Sequence, residues 1–167
     1  MYYTLVPSPL GDILLSGDDS ALTGLWLPTQ QAFARIPADA ARQESPVFEQ
    51  TRRWLKIYFE GRKPGFTPPL RPQGSSFRQR VWQELLQIPY GTTVTYGQLA
   101  RRVVCGSARA VGGACGSNPI SVIIPCHRVL AASGLGGYGG GLETKTFLLK
   151  LEHALPANNR PASDGRT

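Results

Sequence analysis

Residues 121–130 read SVIIPCHRVL, an apolar and largely β-branched run that a proline ends just before a cysteine, a histidine and an arginine. The run predicts a buried strand over residues 121–124. Because proline has no N–H to give to a sheet, Pro125 is expected to end the strand and leave Cys126 facing a cavity. His127 is one of only two histidines in the chain. The stretch therefore predicts a reactive site where the scaffold ends.

A cysteine in this setting has two interpretations. Free cysteine is commonly buried as a small, inert hydrophobe. Nearby cationic groups favour the thiolate, which is the nucleophile, so His127 and Arg128 favour a reactive Cys126. Neighbouring side chains of an extended segment point in opposite directions. A water or a third group, rather than direct contact, is therefore expected to connect Cys126 with His127.

The composition indicates a folded, soluble chain with an uneven distribution of charge. Its 167 residues are 41% hydrophobic and 17% charged, which suits one domain or two small ones. Residues 1–60 carry a net charge of −2, whereas residues 61–167 carry +9. A basic half favours a nucleic-acid partner, although basic residues also form ordinary solvated surface.

The same survey predicts where the protein works and what it lacks. No apolar stretch approaches the length of a membrane span, and the first residues lack the order of a secretory signal. The three cysteines, at positions 105, 115 and 126, form no CxxC pair and no even set. We therefore expect a cytoplasmic protein with no membrane contact, no disulfide framework, no metal and no cofactor.

The first sixty residues predict a small α/β unit with no chemistry of its own. Three short β-prone runs separated by turns predict an antiparallel sheet, at residues 2–6, 13–16 and 22–27. The spacing of aromatic residues over 46–60 predicts a helix on that sheet. Proline and glycine then fill residues 61–74, which predicts a connection between domains over 1–70 and 75–155. Residues 156–167 are expected to be a disordered tail.

Helix-start signals dominate the second half. Ser76 to Gln79 and Thr95 to Gln98 both have the form of a capping box, and the second predicts a helix over residues 96–104. Ser107 can cap a further helix over residues 108–117, after a short break that contains glycine. Helix, short turn and helix in this order form the helix-turn-helix pattern.

The helix over residues 108–117 is nearly bare of side chains. Glycine costs about 1 kcal/mol against alanine within a helix, so Gly112 and Gly113 need a reason. One is close packing inside the protein; the other is entry into the minor groove of DNA, which is about 6 Å wide. A helix that reads the major groove would carry more long polar side chains. Arg109 favours the minor groove, because an arginine has no reason to stand alone on a buried face.

Two features follow the Cys126 segment. Residues 134–139 have the form G-x-G-x-x-G but no βαβ context for a dinucleotide, so they predict a glycine-rich wall around Tyr138. A last helix is predicted over residues 143–155, with Phe147 on its buried stripe. Glu152 falls on that stripe as well, and a buried carboxylate needs a partner. That partner is either Arg128, in a structural ion pair, or His127, in a relay that orients the base for Cys126.

Several of these segments, in the same order, resemble the O6-alkylguanine-DNA alkyltransferases. The resemblance runs from about residue 76 to 155 and is only loose over the first sixty residues. It is carried by Val94-Thr95-Tyr96, Ala108-Arg109-Ala110-Val111-Gly112, Asn118-Pro119, Ile124 to Val129, the Tyr138 loop and Glu152. It implies an α+β fold, with a small amino-terminal antiparallel sheet and helix followed by a mainly helical, winged helix-turn-helix-like domain that binds DNA and carries the active site.

The resemblance implies a suicide repair protein, a methylated-DNA–protein-cysteine methyltransferase that acts once on double-stranded alkylated DNA. In such proteins the second helix enters the minor groove and the damaged base rotates out. An arginine, matched in this sequence by Arg109, fills the space that the base leaves in the stack. The implied DNA-binding residues are Arg109, Tyr96, Ala110, Gly112 and Gly113. The protein is expected to act as a monomer, with cooperative binding along DNA left open.

The resemblance also implies the roles of the reacting groups. Cys126 accepts the alkyl group, His127 takes the thiol proton through water, and Glu152 supports His127. Tyr96 presses on the phosphate and gives a proton to the leaving guanine, while Asn118 joins the recognition helix to the active site. Tyr138, Val129 and Pro125 are expected to line the guanine pocket.

The chain departs from the family pattern in three places. Residues 103–108 and 131–137 are each about one residue shorter than expected, and Cys115 stands on the recognition helix where another residue is usual. Cys115 is thus a candidate second, less reactive thiol. The absence of further histidines and of amino-terminal cysteines argues against the structural zinc of some relatives.

Two other functions remain compatible with the residues alone. A cysteine hydrolase could use Cys126 and His127, but it needs an oxyanion hole that the sequence does not locate. A DNA-binding regulator could use the helix pair without any chemistry at Cys126. The bare second helix argues against a regulator, since sequence-specific reading needs long polar side chains.

Overall fold

The computed structural model of the protein describes residues 1–30, 36–104 and 107–156. Three short strands pair in antiparallel order, as the alternation of turns and β-prone runs predicts: β1 (Tyr2–Val6), β2 (Ile13–Gly17) and β3 (Leu22–Trp26). A fourth strand, β4 (Ala41–Arg42), pairs in parallel with β1 and makes the sheet mixed. This strand was not predicted, because two exposed residues carry no period.

Helix α1 (Pro46–Phe59) packs on this sheet, in agreement with the helix predicted over residues 46–60. Ser45 caps it by accepting a hydrogen bond from the Phe48 N–H, and Pro46 suits the first turn, where its missing donor costs nothing. Its inner face buries Phe48, Trp54 and Tyr58. One continuous apolar core joins this face to the helices of the second half.

Helix α2 (Ser76–Leu85) begins one residue earlier than the predicted capping box requires. Ser75, not Ser76, is the cap: its hydroxyl accepts the Arg78 N–H, while its own backbone is extended. Gln79 therefore does not close a box and donates instead to the Pro72 carbonyl at 2.6 Å.

The two helices of the predicted helix-turn-helix are α3 (Tyr96–Arg102) and α4 (Ala108–Gly116). Both predicted caps are present, since Thr95 forms a complete capping box with Gln98 and Ser107 accepts the Ala110 N–H. The indole of Trp82 on α2 donates to the Ala114 carbonyl at 2.9 Å and holds one face of α4 against the core.

Residues 121–124 do not form the predicted strand. The Ile124 N–H bonds to the Ile120 carbonyl, the Ile123 N–H bonds to the Ser121 carbonyl, and Val122 has a φ of 72°, so the chain turns here. Val122, Ile123 and Ile124 are all buried, and an apolar run indicates burial as much as it indicates a strand. The prediction was wrong because the pattern reports burial and not extension.

A 3-10 helix, Cys126–Arg128, follows this turn and leads into β6 (Val129–Leu130), which pairs in parallel with β5 (Val94–Thr95). The amino-terminal sheet holds the approach to this turn: the Leu25 N–H bonds to the Pro119 carbonyl, and the Ser121 N–H bonds to the Leu25 carbonyl. Strand β3 therefore helps to place the segment that carries Cys126.

Helix α5 (Leu142–Leu151) ends earlier than the predicted range of 143–155, and Glu152 stands at its C-cap. Phe147, predicted on the buried stripe, is 38% exposed, whereas Lys145 is fully buried. The predicted disordered tail lies outside the described residues from 157 onward. Within the described ranges, every helix is too short or too polar to cross a bilayer.

Candidate active site

Cys126 lies at the wall of a cavity of about 210 Å³. Its side chain is buried, with 8% of the residue exposed, and it opens the 3-10 helix that follows the turn. The cavity brings together residues from α3, α4 and the glycine-rich loop, namely Tyr96, Gly112, Cys115, Gly116, Cys126, Gly137, Tyr138 and Gly139. The thiol can therefore meet a group that enters between the two helices and the loop.

Asn118 connects the end of α4 to the thiol. Its Nδ2 donates to the Ile124 carbonyl at 2.8 Å and to the Cys126 Sγ at 3.3 Å, while its Oδ1 accepts the Ile120 N–H at 2.9 Å. The amide is therefore fixed by backbone groups and presents a donor to the sulfur. Burial raises the pKa of the Cys126 thiol, and the Asn118 hydrogen bond opposes that rise because it favours the thiolate.

The imidazole of His127 is oriented by a carboxylate. Its Nε2 lies 2.7 Å from the Oε2 of Glu152, and both side chains are fully buried. Because an ionised carboxylate can only accept, Nε2 carries a hydrogen in this pair. The Nδ1 atom of His127 has no partner among the described residues. It is left as the acceptor nitrogen of a neutral ring.

Glu152 binds both of the partners that the sequence offered as alternatives, His127 and Arg128. Besides His127, it binds Arg128 in a two-point contact, with Nε donating to Oε1 at 2.8 Å and Nη2 to Oε2 at 3.1 Å. The Gly91 N–H donates to Oε1 at 3.2 Å. Burial alone would raise the pKa of Glu152, but the hydrogen bonds of His127 and Arg128 and the charge of Arg128 lower it to about 2.

The charge balance keeps His127 neutral near neutral pH. Burial lowers the pKa of its imidazole, and the cations Arg128 and Lys145 lower it further, against the opposing effect of Glu152. Arg128 already neutralises the carboxylate, so the imidazole does not need to be charged to stabilise Glu152. A neutral imidazole with an open Nδ1 can accept a proton.

Two of the predicted pocket residues are not on the cavity. Pro125 lines a separate cavity behind the site, with Tyr90 and Arg128. Val129 is buried in the core and pairs with Val94. Both were expected on the pocket from the family resemblance, and the turn and 3-10 helix around Cys126 direct them elsewhere. Tyr138 and Tyr96, by contrast, line the cavity.

The exposed face of α4 lies beside this cavity. Arg109, Ala110 and Gly113 are exposed, whereas Val111, Ala114 and Cys115 form the packed face. A Cβ built on Gly113 would meet nothing within 4 Å, and one on Gly112 would lie 4.0 Å from the Tyr96 ring. Packing within the protein therefore does not require a small residue at Gly113, which leaves an external surface as the reason.

Sequence reasoning missed two side chains that shape the site. Tyr58 of α1 donates its hydroxyl to the Oε2 of Glu152 at 2.5 Å, so the expectation that residues 1–60 hold no part of the site is wrong. Lys145 of α5 donates to the carbonyls of Val129, Leu135 and Gly137. Burial lowers the pKa of Lys145 to about 8.

Signals for both residues were present. A tyrosine within a buried aromatic stripe commonly has a hydroxyl partner, which phenylalanine would not need. Lys145 stands three, four and seven residues before Leu148, Leu149 and Glu152, so it shares the buried face of α5. Within the described ranges, no group of three or more histidine, cysteine, aspartate or glutamate side chains is placed to hold a metal ion.

Comparison with known proteins places the chain in a family. Residues 76–154 match the DNA binding domain of 6-O-methylguanine DNA methyltransferase, and residues 1–72 match its ribonuclease-like domain. The chain belongs to the 6-O-methylguanine DNA methyltransferase family. This confirms the family that the motifs resemble and the α+β fold of a small sheet followed by a mainly helical half.

Individual family members are similar over nearly the whole chain. The methylated-DNA–protein-cysteine methyltransferase of Haemophilus influenzae is 47% identical over 155 residues, which are 91% of this chain and 86% of that protein. Its counterpart in Methanosarcina mazei is 44% identical, over 91% of this chain and 97% of that one. A crystal structure of Mycobacterium tuberculosis OGT in complex with DNA has a TM-score of 0.84 at 41% identity, covering 95% and 97% of the two chains.

Proposed function

We propose that this protein repairs O6-alkylguanine in DNA by moving the alkyl group irreversibly to Cys126. The proposal is carried by one observation: a thiol on a cavity wall precedes an imidazole whose Nε2 is held by a buried carboxylate. The related proteins of Haemophilus influenzae and Methanosarcina mazei are named as methylated-DNA–protein-cysteine methyltransferases. Membership of their family supports the same reaction here.

The reaction begins when the Nδ1 of His127 takes the Cys126 proton through a water molecule. The Sγ–carbon bond forms as the bond from the alkyl carbon to guanine O6 breaks, and the electron pair goes to the guanine. Tyr96 gives the proton that this anion needs. Burial and the nearby thiols raise the pKa of Tyr96 to about 12, so the phenol still holds its proton when the guanine anion forms, and the phenolate that remains takes a proton back from solvent water.

The product is a thioether on Cys126, and the two cavity thiols are not equivalent. A thioether cannot be hydrolysed by these groups, so each molecule acts once. Burial raises the pKa of Cys115 to about 12, so it stays a thiol at neutral pH. Of these two sulfurs, the Cys126 Sγ is the one that accepts a hydrogen bond from Asn118, which favours its thiolate and makes Cys126 the acceptor of the alkyl group.

Double-stranded DNA is the proposed partner of α4. The exposed, nearly bare face of α4 enters the minor groove, and the damaged nucleotide rotates into the cavity past Tyr96, with Tyr138 lining the far wall. Arg109 takes the place that the base leaves in the stack. Rotation costs a few kcal/mol and least for a mispaired base, which favours damaged sites. The net charge of +9 over residues 61–167 supports binding to the phosphate backbone.

The remaining features of the proposal concern organisation. Helices α3 and α4 act as the helix-turn-helix of a DNA-binding domain over residues 75–155, behind an amino-terminal domain over residues 1–70. The protein acts as a monomer in the cytoplasm. The basic charge of the second half and the position of Arg109, Ala110, Gly112 and Gly113 on α4 support the DNA-binding role of these two helices.

Mass spectrometry of the intact protein after incubation with duplex DNA containing O6-methylguanine tests the reaction. The expected result is the mass gain of one methyl group, mapped to Cys126, with an amount of repaired guanine equal to the amount of protein. Sustained turnover of an ester or amide would indicate a cysteine hydrolase instead. Sequence-specific DNA binding with no mass gain would indicate a regulator.

A further inference from the structure

We propose that Tyr58, on the helix of the amino-terminal unit, is a positioning residue that sets the basicity of His127 by holding the Oε2 of Glu152. The inference rests on the proposed alkyl transfer. It gives the amino-terminal unit a part in the chemistry, although its sheet and helix contribute no side chain to the cavity around Cys126.

The contact is short and fully buried. The Tyr58 hydroxyl donates to the Oε2 of Glu152 at 2.5 Å, and its oxygen lies 3.5 Å from the Nε2 of His127. Tyr58 and His127 are 0% exposed, and Glu152 is 2% exposed. Burial, followed by the charge and hydrogen bond of Glu152, raises the pKa of Tyr58 far above its ordinary value, so the phenol remains a neutral donor.

The ring of Tyr58 is fixed independently of its hydroxyl. It stacks on Trp54 with the ring centres 5.1 Å apart and meets Tyr90 edge to face at 6.2 Å. Phenylalanine would fill the same space and keep both ring contacts. Packing alone therefore does not account for tyrosine at this position, whereas a directed hydrogen bond to the carboxylate does.

The hydroxyl competes with His127 for one oxygen. Oε2 accepts from Tyr58, from His127 and from Arg128, and each donor draws charge from the oxygen. Removal of the phenol hydrogen leaves a carboxylate that holds an imidazolium more strongly, which raises the pKa of His127. Tyr58 therefore helps to keep His127 neutral and ready to accept a proton.

Other groups around His127 act in known directions and stay in place when Tyr58 changes. Glu152 favours the imidazolium, whereas Arg128 and Lys145 oppose it. The Tyr138 ring stands edge to face with the imidazole at 6.5 Å and carries no charge near neutral pH, since burial raises its pKa. Cys126 precedes His127 and is a neutral thiol in the resting protein.

The test is the rate of methyl transfer from O6-methylguanine duplex at single turnover, measured against pH for Tyr58→Phe and for Thr51→Val. Thr51 is a matched control, because its buried hydroxyl on the same helix bonds to the Val47 carbonyl and, within the described ranges, not to the groups around His127. For Tyr58→Phe we expect the acid limb of the profile to move to higher pH by about half a unit, with less than about a threefold loss on the plateau. Affinity for the DNA should not change.

The double variant Tyr58→Phe with Glu152→Gln separates positioning from packing. If Tyr58 acts through Glu152, its substitution has no further effect on the rate or the limb once the carboxylate is gone. A Tyr58→Phe profile that superimposes on wild type overturns the inference, and so does an equal shift in Thr51→Val. Circular dichroism checks that each variant is folded; should Tyr58→Phe not fold, Tyr58→Leu, which is smaller and carries no hydrogen-bond donor, replaces it. No transfer by the wild-type protein would instead overturn the proposed function.

Discussion

The two nitrogens of His127 stand in opposite surroundings. Nε2 is committed to a carboxylate that Arg128, Gly91 and Tyr58 hold with four further hydrogen bonds. Nδ1 is buried without a partner among the described residues. The contact of Nε2 with Glu152 fixes the tautomer and the position of the ring. Because the ring is fixed in this way, Nδ1 can act as a base. The same ring is thus structural at one edge and reactive at the other.

The largest expected effect comes from removing the Cys126 thiol, whose proton is accepted by Nδ1 of His127. Cys126→Ala should abolish the methyl gain from O6-methylguanine duplex, because no other thiol on the cavity is activated. Cys115→Ala is the matched control, since it removes the other cavity thiol and should retain transfer. Peptide mass spectrometry checks both. A methyl group on Cys115 in either protein would contradict the assignment of the acceptor.

Glu152→Gln removes the carboxylate that holds Nε2 of His127. It leaves the buried Arg128 without its counter-charge, which should lower the free energy of unfolding by about 3–5 kcal/mol. It also removes the carboxylate that keeps the hydrogen of His127 on Nε2. This loss should slow methyl transfer by about 100-fold at neutral pH. Urea unfolding and single-turnover kinetics measure the two effects. The exposed Glu143→Gln on the same helix should change neither; a stable, active Glu152→Gln protein would show that the carboxylate is dispensable.

Arg109→Ala tests the DNA side without touching either nitrogen. Since Arg109 is exposed, the variant should keep its stability but transfer methyl from duplex DNA about tenfold more slowly, as the gap in the stack is no longer filled. Transfer from the free base O6-methylguanine should be unchanged. Lys56→Ala, an exposed change of the same charge on α1, is the control. Equal losses on duplex and free base would place Arg109 in the chemistry instead.

Residues that carry local signals could be predicted from sequence. The caps at Thr95 and Ser107 and the strands β1 to β3 follow from side chains that act within a few residues of themselves. Cys126, His127 and Glu152 could be assigned to one site. The first two stand in one motif, and a carboxylate on an apolar stripe needs a partner. In each case the reason lies in the segment itself.

Residues whose partners are far away in the chain could not be predicted in this way. The partner of Tyr58 lies 94 residues further along the chain, and the stripe of α1 accommodates a phenyl or a phenol ring equally well. Two of the three carbonyls that accept hydrogen bonds from Lys145, those of Leu135 and Gly137, belong to a loop whose path no sequence pattern encodes. The run at 121–124 shows that a local pattern can also mislead. A buried strand and a buried turn both give an apolar run, so the pattern does not tell them apart.

The smallest expected effect is a loss of stability on acidification. Glu152 has a pKa of about 2, below its ordinary 4.5, so the native state binds fewer protons than the unfolded state. The stability from Glu152 is therefore complete above pH 4.5 and is lost as the pH falls towards 2. His127 acts in the same direction below about pH 6.5, because its pKa is lowered too.

Urea unfolding should show a lower free energy of unfolding at pH 4.5 than at pH 7, because the lowered pKa of His127 makes the unfolded state bind the extra proton more readily. Glu152→Gln should lack the further decrease that wild type shows between pH 4.5 and pH 3. A stability that rises on acidification over either interval would contradict the lowered pKa values of these two buried groups.

The protonation state of the His127 ring can be observed directly by ¹⁵N NMR of the histidine-labelled protein at pH 7. The account predicts a neutral ring with hydrogen on Nε2 and none on Nδ1, and His153, exposed near the end of α5, serves as the internal reference. A ring protonated on Nδ1, whether as the other tautomer or as an imidazolium, would leave no acceptor for the thiol proton and would contradict the central claim.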